Sequence, residues 1–223
     1  MRFYDLGQEV QAFTAGKAAS GTAFGVDARE VGIREGDFRV EPTALMIPRQ
    51  THSLNVAYVN QAGELPDTDA VFTDQRGLCV AVKTADCIPV LLFDQRQQMV
   101  AAVHAGWRGT VGRIVEKTIL QMQSRGEDLR AVIGPGISLE SFEVGDEVYE
   151  AFLAAQFPMQ RIARRWQKWH LDLWEANRWL LEECGVTDIL IEGTDTKTSP
   201  HFFSARRETI KTGRNINGIL INS

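Results

Sequence analysis

The chain has 223 residues, of which 44% are hydrophobic and 24% charged, and its formal net charge is −5. This composition is typical of a globular protein with a substantial core. The negative charge argues against a non-specific nucleic-acid binder, because phosphate contacts require a basic surface. No N-terminal stretch resembles a signal peptide, and no window approaches about 18 uninterrupted apolar residues. We therefore expect a cytoplasmic protein without a nucleic-acid or membrane partner, and its three scattered cysteines do not indicate a disulfide framework.

Short strands dominate the chain from about residue 44, whereas the first 40 residues carry no clear pattern. Apolar runs rich in Val and Ile, separated by Gly, Asn and Asp turn signals, predict the strands. The runs that lead up to His104 are apolar on both faces, which indicates buried central strands. The predicted strands are Ala44–Pro48, Val56–Asn60, Asp69–Thr73, Leu78–Lys83, Ile88–Phe93, Met99–His104, Leu129–Ile133, Ile189–Glu192 and Ile216–Ile221.

Three segments have the apolar spacing of amphipathic helices. The last of them has Asp172 in the N-cap position, Glu175 three residues on and Gly185 just past its end. The predicted helices are Thr110–Gly126, Asp146–Ala155 and Leu173–Cys184. Because strands outnumber helices and cluster early, we expect an α+β fold with mixed β-sheets flanked by helices, in a single domain over residues 1–223.

One cysteine and two histidines on turn-like segments suggest a metal site. A thiolate and two imidazoles suit a tetrahedral zinc ion, and three protein ligands would leave a fourth position open, as in catalytic sites. His52, Cys87 and His104 are the candidate ligands, although the fold must bring them together. The alternative interpretation is an inert buried thiol and hydrogen-bonded core histidines.

Two residues next to these candidates could take part in chemistry. Arg108 lies in a glycine-rich turn after a predicted strand, and its guanidinium could clamp a phosphate or carboxylate. Asp86 could orient a ligand histidine or act as a general base. The same residues could instead serve only the turn and the end of the strand.

Two further segments carry candidate substrate contacts. Gln50 and Asn55 belong to a polar cluster around His52, which could line a pocket mouth or form a solvated hairpin. Phe203 and Arg206 lie near the C-terminus, where an aromatic ring could stack on a base and an arginine could meet a phosphate. A surface strand with solvated arginines explains the second segment equally well.

Taken together, these segments resemble the laccase-domain family. Its members are described as multicopper polyphenol oxidases and as zinc-dependent purine nucleoside phosphorylases, and a bacterial branch as a peptidoglycan-editing factor. The resemblance runs from about Gln50 to the C-terminus. It rests on Gln50-Thr51-His52, Thr84-Ala85-Asp86-Cys87-Ile88-Pro89, His104-Ala105-Gly106-Trp107-Arg108-Gly109, Gly134-Pro135-Gly136-Ile137, Phe203-Ser204-Ala205-Arg206-Arg207 and Thr212-Gly213-Arg214.

The resemblance implies a metal held by His52, Cys87 and His104, in a single α+β domain. It implies phosphorolysis of adenosine, inosine, guanosine and methylthioadenosine, with adenosine deamination as a second activity. We expect nucleoside and phosphate as small-molecule partners, and a monomer or weak homodimer. The chain departs from the family pattern at Gly136 (often Cys or Ala), Asp195 (Cys in a Cys-Thr pair) and Ala205 (usually aromatic), which bears on substrate preference.

Three other activities compete with phosphorolysis. The usual zinc-deaminase signature, which includes a catalytic glutamate, is absent from the sequence. Deamination would therefore need another base, and Asp86 is our candidate. A copper polyphenol oxidase is a second alternative, but the two remaining histidines are too few for a further copper cluster, which leaves one copper at the Cys/His site. A metal-free hydrolase or amidase, acting on peptidoglycan precursors with Cys87 as nucleophile and His104 as base, is the third.

Overall fold

Two mixed β-sheets lie face to face in the computed structural model, which describes residues 1–17, 33–35 and 38–223. The first sheet has five strands in the order β1-β2-β16-β8-β5, and β5 runs parallel to β8. Its strands are β1 (Arg2–Tyr4), β2 (Val10–Ala15), β5 (Leu45–Met46), β8 (Cys79–Thr84) and β16 (Asn215–Ile221).

The second sheet has six strands in the order β15-β11-β9-β10-β7-β6. Its centre is antiparallel, whereas its two edge strands, β15 and β6, each run parallel to their neighbour. Its strands are β6 (Val56–Tyr58), β7 (Ala70–Thr73), β9 (Ile88–Asp94), β10 (Met99–Ala105), β11 (Leu129–Ile133) and β15 (Asp188–Ile191).

Smaller elements surround the two sheets. The strands β3 (Ile33–Glu35) and β4 (Phe38–Val40) pair antiparallel, and a small sheet has the order β12-β14-β13. The strands of this small sheet are β12 (Glu143–Val144), β13 (Ala163–Arg165) and β14 (Trp169–Leu171). The described helices are α1 (Trp107–Val111), α2 (Ile114–Met122), α3 (Asp146–Ala154), α4 (Met159–Ile162) and α5 (Leu173–Glu183), with 3₁₀ turns at Pro42–Ala44 and Gly126–Asp128.

Alternate residues of the central strands belong to different hydrophobic cores. On β10, Val100 and Ala102 belong to the core between the two sheets, while Ala101 and Val103 belong to the core beneath the helices. A third core covers the outer face of the five-stranded sheet around Phe13. Burial on both faces explains why these strands read as continuous apolar runs in the sequence.

The predicted α+β class with mixed sheets is confirmed, and every predicted strand overlaps an observed one, whereas the three short strands of the small sheet were not predicted. The domain bounds of 1–223 stay a prediction. The first 40 residues, which carry no clear sequence pattern, include the four described strands β1 to β4, and residues 18–32 and 36–37 of this stretch lie outside the described residues. The prediction of one helix from Thr110 to Gly126 is wrong, because the chain breaks between α1 and α2 at Arg113, whose φ is +58°.

The backbone passes very close to Leu54 next to the break between α1 and α2. A Cβ atom at Gly112 would lie 2.4 Å from a methyl carbon of Leu54, so the chain passes this side chain too closely for a larger residue. The second helix ends at Gln123, whose left-handed conformation replaces the predicted cap at Gly126. Among the described residues, no helix combines the length and apolar character that crossing a membrane requires.

The N-cap of α5 gives a stability prediction. The Asp172 carboxylate accepts a hydrogen bond from the Glu175 backbone N–H at 2.9 Å, as the sequence predicted. Replacing Asp172 with Ala removes this acceptor and should lower the free energy of unfolding by about 1 kcal/mol. Asp172→Asn keeps a capping oxygen and is the matched control. Urea denaturation of the three proteins measures the difference, and equal midpoints would contradict the assignment.

Candidate metal centre

Strand register brings Cys87 close to His104. Cys87 lies in the short turn that carries the chain from β8 of the first sheet to β9 of the second. Asp86 takes a φ of +94° in this turn, a conformation that is uncommon for a residue other than glycine. The antiparallel pairing of β9 with β10 sets His104 opposite Pro89, two residues beyond Cys87. The two candidate ligands therefore meet at one end of the six-stranded sheet.

The neighbouring strand β7 supplies a buried carboxylate to His104. Ala70 pairs with Val103, so Asp69 lies beside His104, and the His104 backbone N–H donates to the Asp69 carbonyl oxygen at 2.8 Å. The His104 Nδ1 atom lies 2.7 Å from Asp69 Oδ1. Both side chains are almost completely buried. Because Nδ1 is engaged with the carboxylate, Nε2 is the nitrogen left to face Cys87.

The same carboxylate holds the loop that carries His52. The backbone N–H groups of Thr51, His52 and Ser53 all donate to Asp69 carboxylate oxygens, at 3.1, 3.1 and 2.8 Å. The Ser53 hydroxyl donates as well, at 2.8 Å. His52 has a φ of +63°, which these hydrogen bonds help to maintain. Asp69 thus fixes the positions of both candidate histidine ligands.

The three candidate ligands converge. One donor atom from each of His52, Cys87 and His104 lies within 4.8 Å of the others, and Cys87 Sγ is 3.8 Å from His52 Nε2. The two imidazole rings meet edge to face with centroids 4.9 Å apart. A Cβ atom at Gly106 would lie only 3.0 Å from Cys87 Sγ and 3.1 Å from His52 Cδ2. Glycine at this position therefore leaves room for the cluster.

The charges within the cluster stabilise one another. Burial alone would raise the pKa of the Asp69 carboxyl, but its hydrogen bonds with His104 and the Thr51 amide lower it to about 2. Burial alone would also raise the pKa of the Cys87 thiol, but the His104 and His52 imidazoles lower it to about 6. Burial opposes charge on His104, yet the Cys87 sulfur and Asp69 raise its pKa to about 9. The site thus favours a thiolate, the form that binds a metal.

The donor set fits a zinc ion. Tetrahedral zinc with nitrogen ligands near 2.0–2.1 Å and a sulfur near 2.3 Å spaces these atoms about 3.3–3.6 Å apart. The separations of 3.8 Å between Sγ and Nε2 and at most 4.8 Å within the triad are close to this spacing. A carboxylate on the second nitrogen of a ligand histidine, as Asp69 provides, is a common feature of zinc sites. Among the described residues, no other group of His, Cys, Asp and Glu forms such a cluster.

The triad lies in the wall of an open cavity of about 860 Å³. Three other candidate site residues from the sequence, Gln50, Asp86 and Arg206, line the same cavity. The Gln50 side chain is fixed by two hydrogen bonds with the backbone of Lys83, at 2.7 and 2.8 Å. The complete lining is Arg49, Gln50, His52, Lys83, Ala85, Asp86, Cys87, His104, Trp107, Phe142, Ala205, Arg206, Ile210 and Arg214.

Three predicted contact residues do not line this cavity. Arg108 is exposed, and its guanidinium lies 4.3 Å from the ring centroid of Trp107. Asn55 donates to the carbonyl and carboxylate oxygens of Asp67. Phe203 is buried, and its ring packs against the backbone of Gly213. The structure therefore brings together the ligand triad with Gln50, Asp86 and Arg206, but not these three.

Asp86 makes contacts different from those expected of an orienting carboxylate. Its Oδ1 accepts from the Thr196 hydroxyl at 2.7 Å, and its Oδ2 accepts from the Arg206 backbone N–H at 2.7 Å. Asp69, and not Asp86, orients the ligand histidine. Sequence reasoning missed Asp69 because an aspartate before an apolar strand carries no motif, and only strand pairing places it beside His104.

Two of the three departures from the family pattern lie next to each other. Gly136 forms a parallel backbone bridge with Asp195. Asp195 accepts a hydrogen bond from the Ser141 hydroxyl at 2.6 Å and one from the Lys197 backbone N–H at 2.9 Å. The third, Ala205, lines the cavity directly, where its small side chain leaves space.

Comparison with known proteins identifies the family of the chain. The model of the family described as multi-copper polyphenol oxidoreductase laccase matches residues 28–222. The chain is 46% identical over 201 residues to a Bacteroides thetaiotaomicron protein named purine nucleoside phosphorylase, covering 81% of this chain and 74% of that protein. It is 41% identical over 194 residues to adenosine deaminase RL5 from an unknown prokaryotic organism, covering 78% and 74%.

Solved structures show the same fold. The crystal structure of YlmD from Geobacillus stearothermophilus superposes with a TM-score of 0.82 at 25% identity, covering 97% of this chain and 93% of that chain. A Bacillus licheniformis protein, YfiH, superposes with a TM-score of 0.80 at 25% identity, covering 96% and 93%. The resemblance predicted from the sequence motifs is confirmed, and the chain belongs to the multi-copper polyphenol oxidoreductase laccase family.

Proposed function

We propose that this protein is a zinc-dependent purine nucleoside phosphorylase that acts on adenosine, inosine, guanosine and methylthioadenosine. The observation that carries the proposal is the convergence of His52, Cys87 and His104 in the wall of an open cavity. Relatives named purine nucleoside phosphorylase support the reaction class. The open cavity is concave and large enough for a small-molecule substrate.

In phosphorolysis, an oxygen of phosphate forms a bond to the anomeric carbon of the sugar. The bond from that carbon to the purine nitrogen breaks, and the nitrogen leaves with the electron pair. The proton carried by dihydrogen phosphate ends on the purine, so the reaction needs no other reactant. The protein's task is to hold two substrates in line and to stabilise the charge that develops.

The residues of the site are arranged for this task. His52, Cys87 and His104 would hold zinc, which when bound supplies a Lewis acid that polarises a substrate oxygen or nitrogen. Asp69 fixes the proton of His104 on Nδ1 and holds the His52 loop in place. Gln50 presents a side chain that is locked by the backbone of Lys83 and faces the cavity. Such pre-fixed polar groups lose little freedom when a substrate binds.

Adenosine deamination is a second candidate activity, because one relative at 41% identity is named an adenosine deaminase. Hydrolytic deamination needs a group that takes a proton from water. Asp86 lines the cavity, and each of its carboxylate oxygens already accepts one hydrogen bond. It keeps lone pairs for a further donor, so it stays our candidate base.

The distribution of histidines disfavours a multicopper oxidase. Of the four histidines, two are in the triad, while His170 contacts the Leu139 carbonyl oxygen in the small sheet and His201 lies on an exposed turn. A second copper cluster would need several more imidazoles near the triad. One copper ion at the triad, in place of zinc, is the form in which oxidase activity would occur. A metal-free Cys–His hydrolase differs in requiring neither metal nor His52.

The first prediction concerns the reaction itself. Purified protein of known zinc content should release hypoxanthine from inosine and adenine from adenosine only when phosphate is present. Cys87→Ala should lower the rate at least about 100-fold, because it removes a ligand from the site. Cys184→Ala is the matched control, since Cys184 lies at the end of α5, outside the cavity lining. Chromatography of the bases measures both, and phosphate-independent release would contradict the proposal.

The second prediction concerns the metal. His52→Ala should reduce bound zinc from about one equivalent to well below half, because two protein ligands bind it much more weakly than three. His201→Ala should keep the full equivalent, since His201 lies on an exposed turn. Elemental analysis of dialysed protein gives the metal content. Equal content in the two variants would show that the metal, if present, binds elsewhere.

The third prediction concerns Asp69. Asp69→Asn places an amide among the N–H groups that now donate to the carboxylate. Zinc affinity should fall about 10- to 100-fold, the usual cost of altering the partner of a ligand histidine. Asp74→Asn, an exposed substitution just past the end of β7, is the control. Competition with a chromogenic chelator measures the affinity, and an unchanged value would mean that Asp69 serves only the fold.

A further inference from the structure

Outside the metal-ligand triad, four of the residues that line the cavity are arginine or lysine, and one, Asp86, carries a carboxylate. The four are Arg49, Lys83, Arg206 and Arg214. The Asp86 carboxylate accepts hydrogen bonds from the Thr196 hydroxyl and the Arg206 backbone N–H. It therefore does not neutralise the guanidinium groups of the cavity. In a chain with a net charge of −5, a cationic cavity is a local feature that favours an anionic ligand.

The Arg206 guanidinium is held in place without losing its charge. Its backbone N–H is anchored on Asp86, and its Nη1 donates to the Glu143 carbonyl oxygen at 3.1 Å. Its Cζ lies 5.5 Å from the ring centroid of Phe142, which also lines the cavity. Of the five N–H donors of a guanidinium, one is used in this way. Among the residues that the structure describes, no hydrogen-bond acceptor engages the others, which can donate to a ligand.

Arg214 is held by its own turn. Its guanidinium donates to the carbonyl oxygens of Ile210, Thr212 and Gly213. Among the described residues, no carboxylate lies within ion-pair distance of the Arg206 or Arg214 guanidinium; the Glu143 carboxylate, which pairs with Lys168 at 2.7 Å, interacts with Arg206 only at longer range. Neutral carbonyl partners fix the position of a guanidinium and leave its positive charge for another group. Two such side chains on one cavity are a pre-organised site for an oxyanion.

We infer that Arg206 and Arg214 form the anion subsite of this cavity, and that it takes inorganic phosphate or the phosphate of a sugar 1-phosphate. The inference rests on the proposed function and refines it, because it places phosphate at the C-terminal turns rather than at the turn of Arg108. Arg108 lies against Trp107 and outside the cavity lining. The planar, charged fork of arginine matches the oxygens of phosphate in pairs.

The test is the dependence of the phosphorolysis rate on phosphate concentration in single variants. Arg206→Gln and Arg214→Gln should each raise the KM for phosphate about tenfold or more, while the KM for inosine changes less than about threefold. Arg206→Lys keeps the charge and should recover part of the loss. Arg125→Gln is the matched control, because Arg125 pairs with Asp128 at the far end of β9 from Cys87.

A binding measurement keeps the test independent of turnover. Phosphate should raise the melting temperature of the wild-type protein, because a ligand stabilises the state to which it binds, and this rise should be lost in Arg206→Gln. If the Arg214 variant does not fold, the exposed Arg206 still decides the question. An unchanged phosphate KM and melting shift in Arg206→Gln, or a loss only in Arg108→Gln, would overturn the subsite. Absence of phosphorolysis in the wild-type protein, with phosphate binding intact, would overturn only the proposed reaction.

Discussion

The candidate metal centre depends on the buried carboxylate of Asp69. It accepts hydrogen bonds from the Ser53 hydroxyl, from three successive backbone N–H groups of the His52 loop and from His104. A buried charge is costly unless it is fully paired, so the fold must supply these donors together or lose the carboxylate. The hydrogen bonds to this one carboxylate fix the relative positions of two histidines that are 52 residues apart in the sequence.

The third ligand is positioned by the way the chain moves between the two sheets. The turn from β8 to β9 leaves the five-stranded sheet and enters the six-stranded one, and Cys87 is its last residue. Asp86, just before it, adopts a positive φ and ties the turn to Thr196 and Arg206. The metal centre and the wall that carries the cationic groups are therefore joined through one residue. A change at Asp86 would alter both sides of the cavity.

The two sides of the cavity that Asp86 connects carry different chemical groups. The triad side offers a thiolate and two imidazoles, which suit a metal ion and the neutral nucleoside that it would polarise. The C-terminal turns supply the other side, which carries guanidinium groups held in place by backbone carbonyl oxygens. With both kinds of group in one cavity, an anion and a neutral sugar derivative could be held side by side. Neither kind alone distinguishes a phosphorylase from a hydrolase, and their combination is what favours phosphorolysis.

The sequence by itself determined the strands of the two large sheets after residue 44 and the capped helix at Asp172, and it singled out the three candidate ligands, because apolar periodicity, capping residues and rare residue types are local signals. It did not reveal β1 to β4, although β2 pairs with the C-terminal strand, or the small sheet of β12, β13 and β14, or the break at Arg113. Tertiary structure alone decided that Asp69 lies beside His104, that Arg214 joins the cavity and that Arg108, Asn55 and Phe203 lie outside its lining. These placements follow from strand register and loop packing between residues far apart in the chain, and such contacts leave no pattern in the sequence around any one of them.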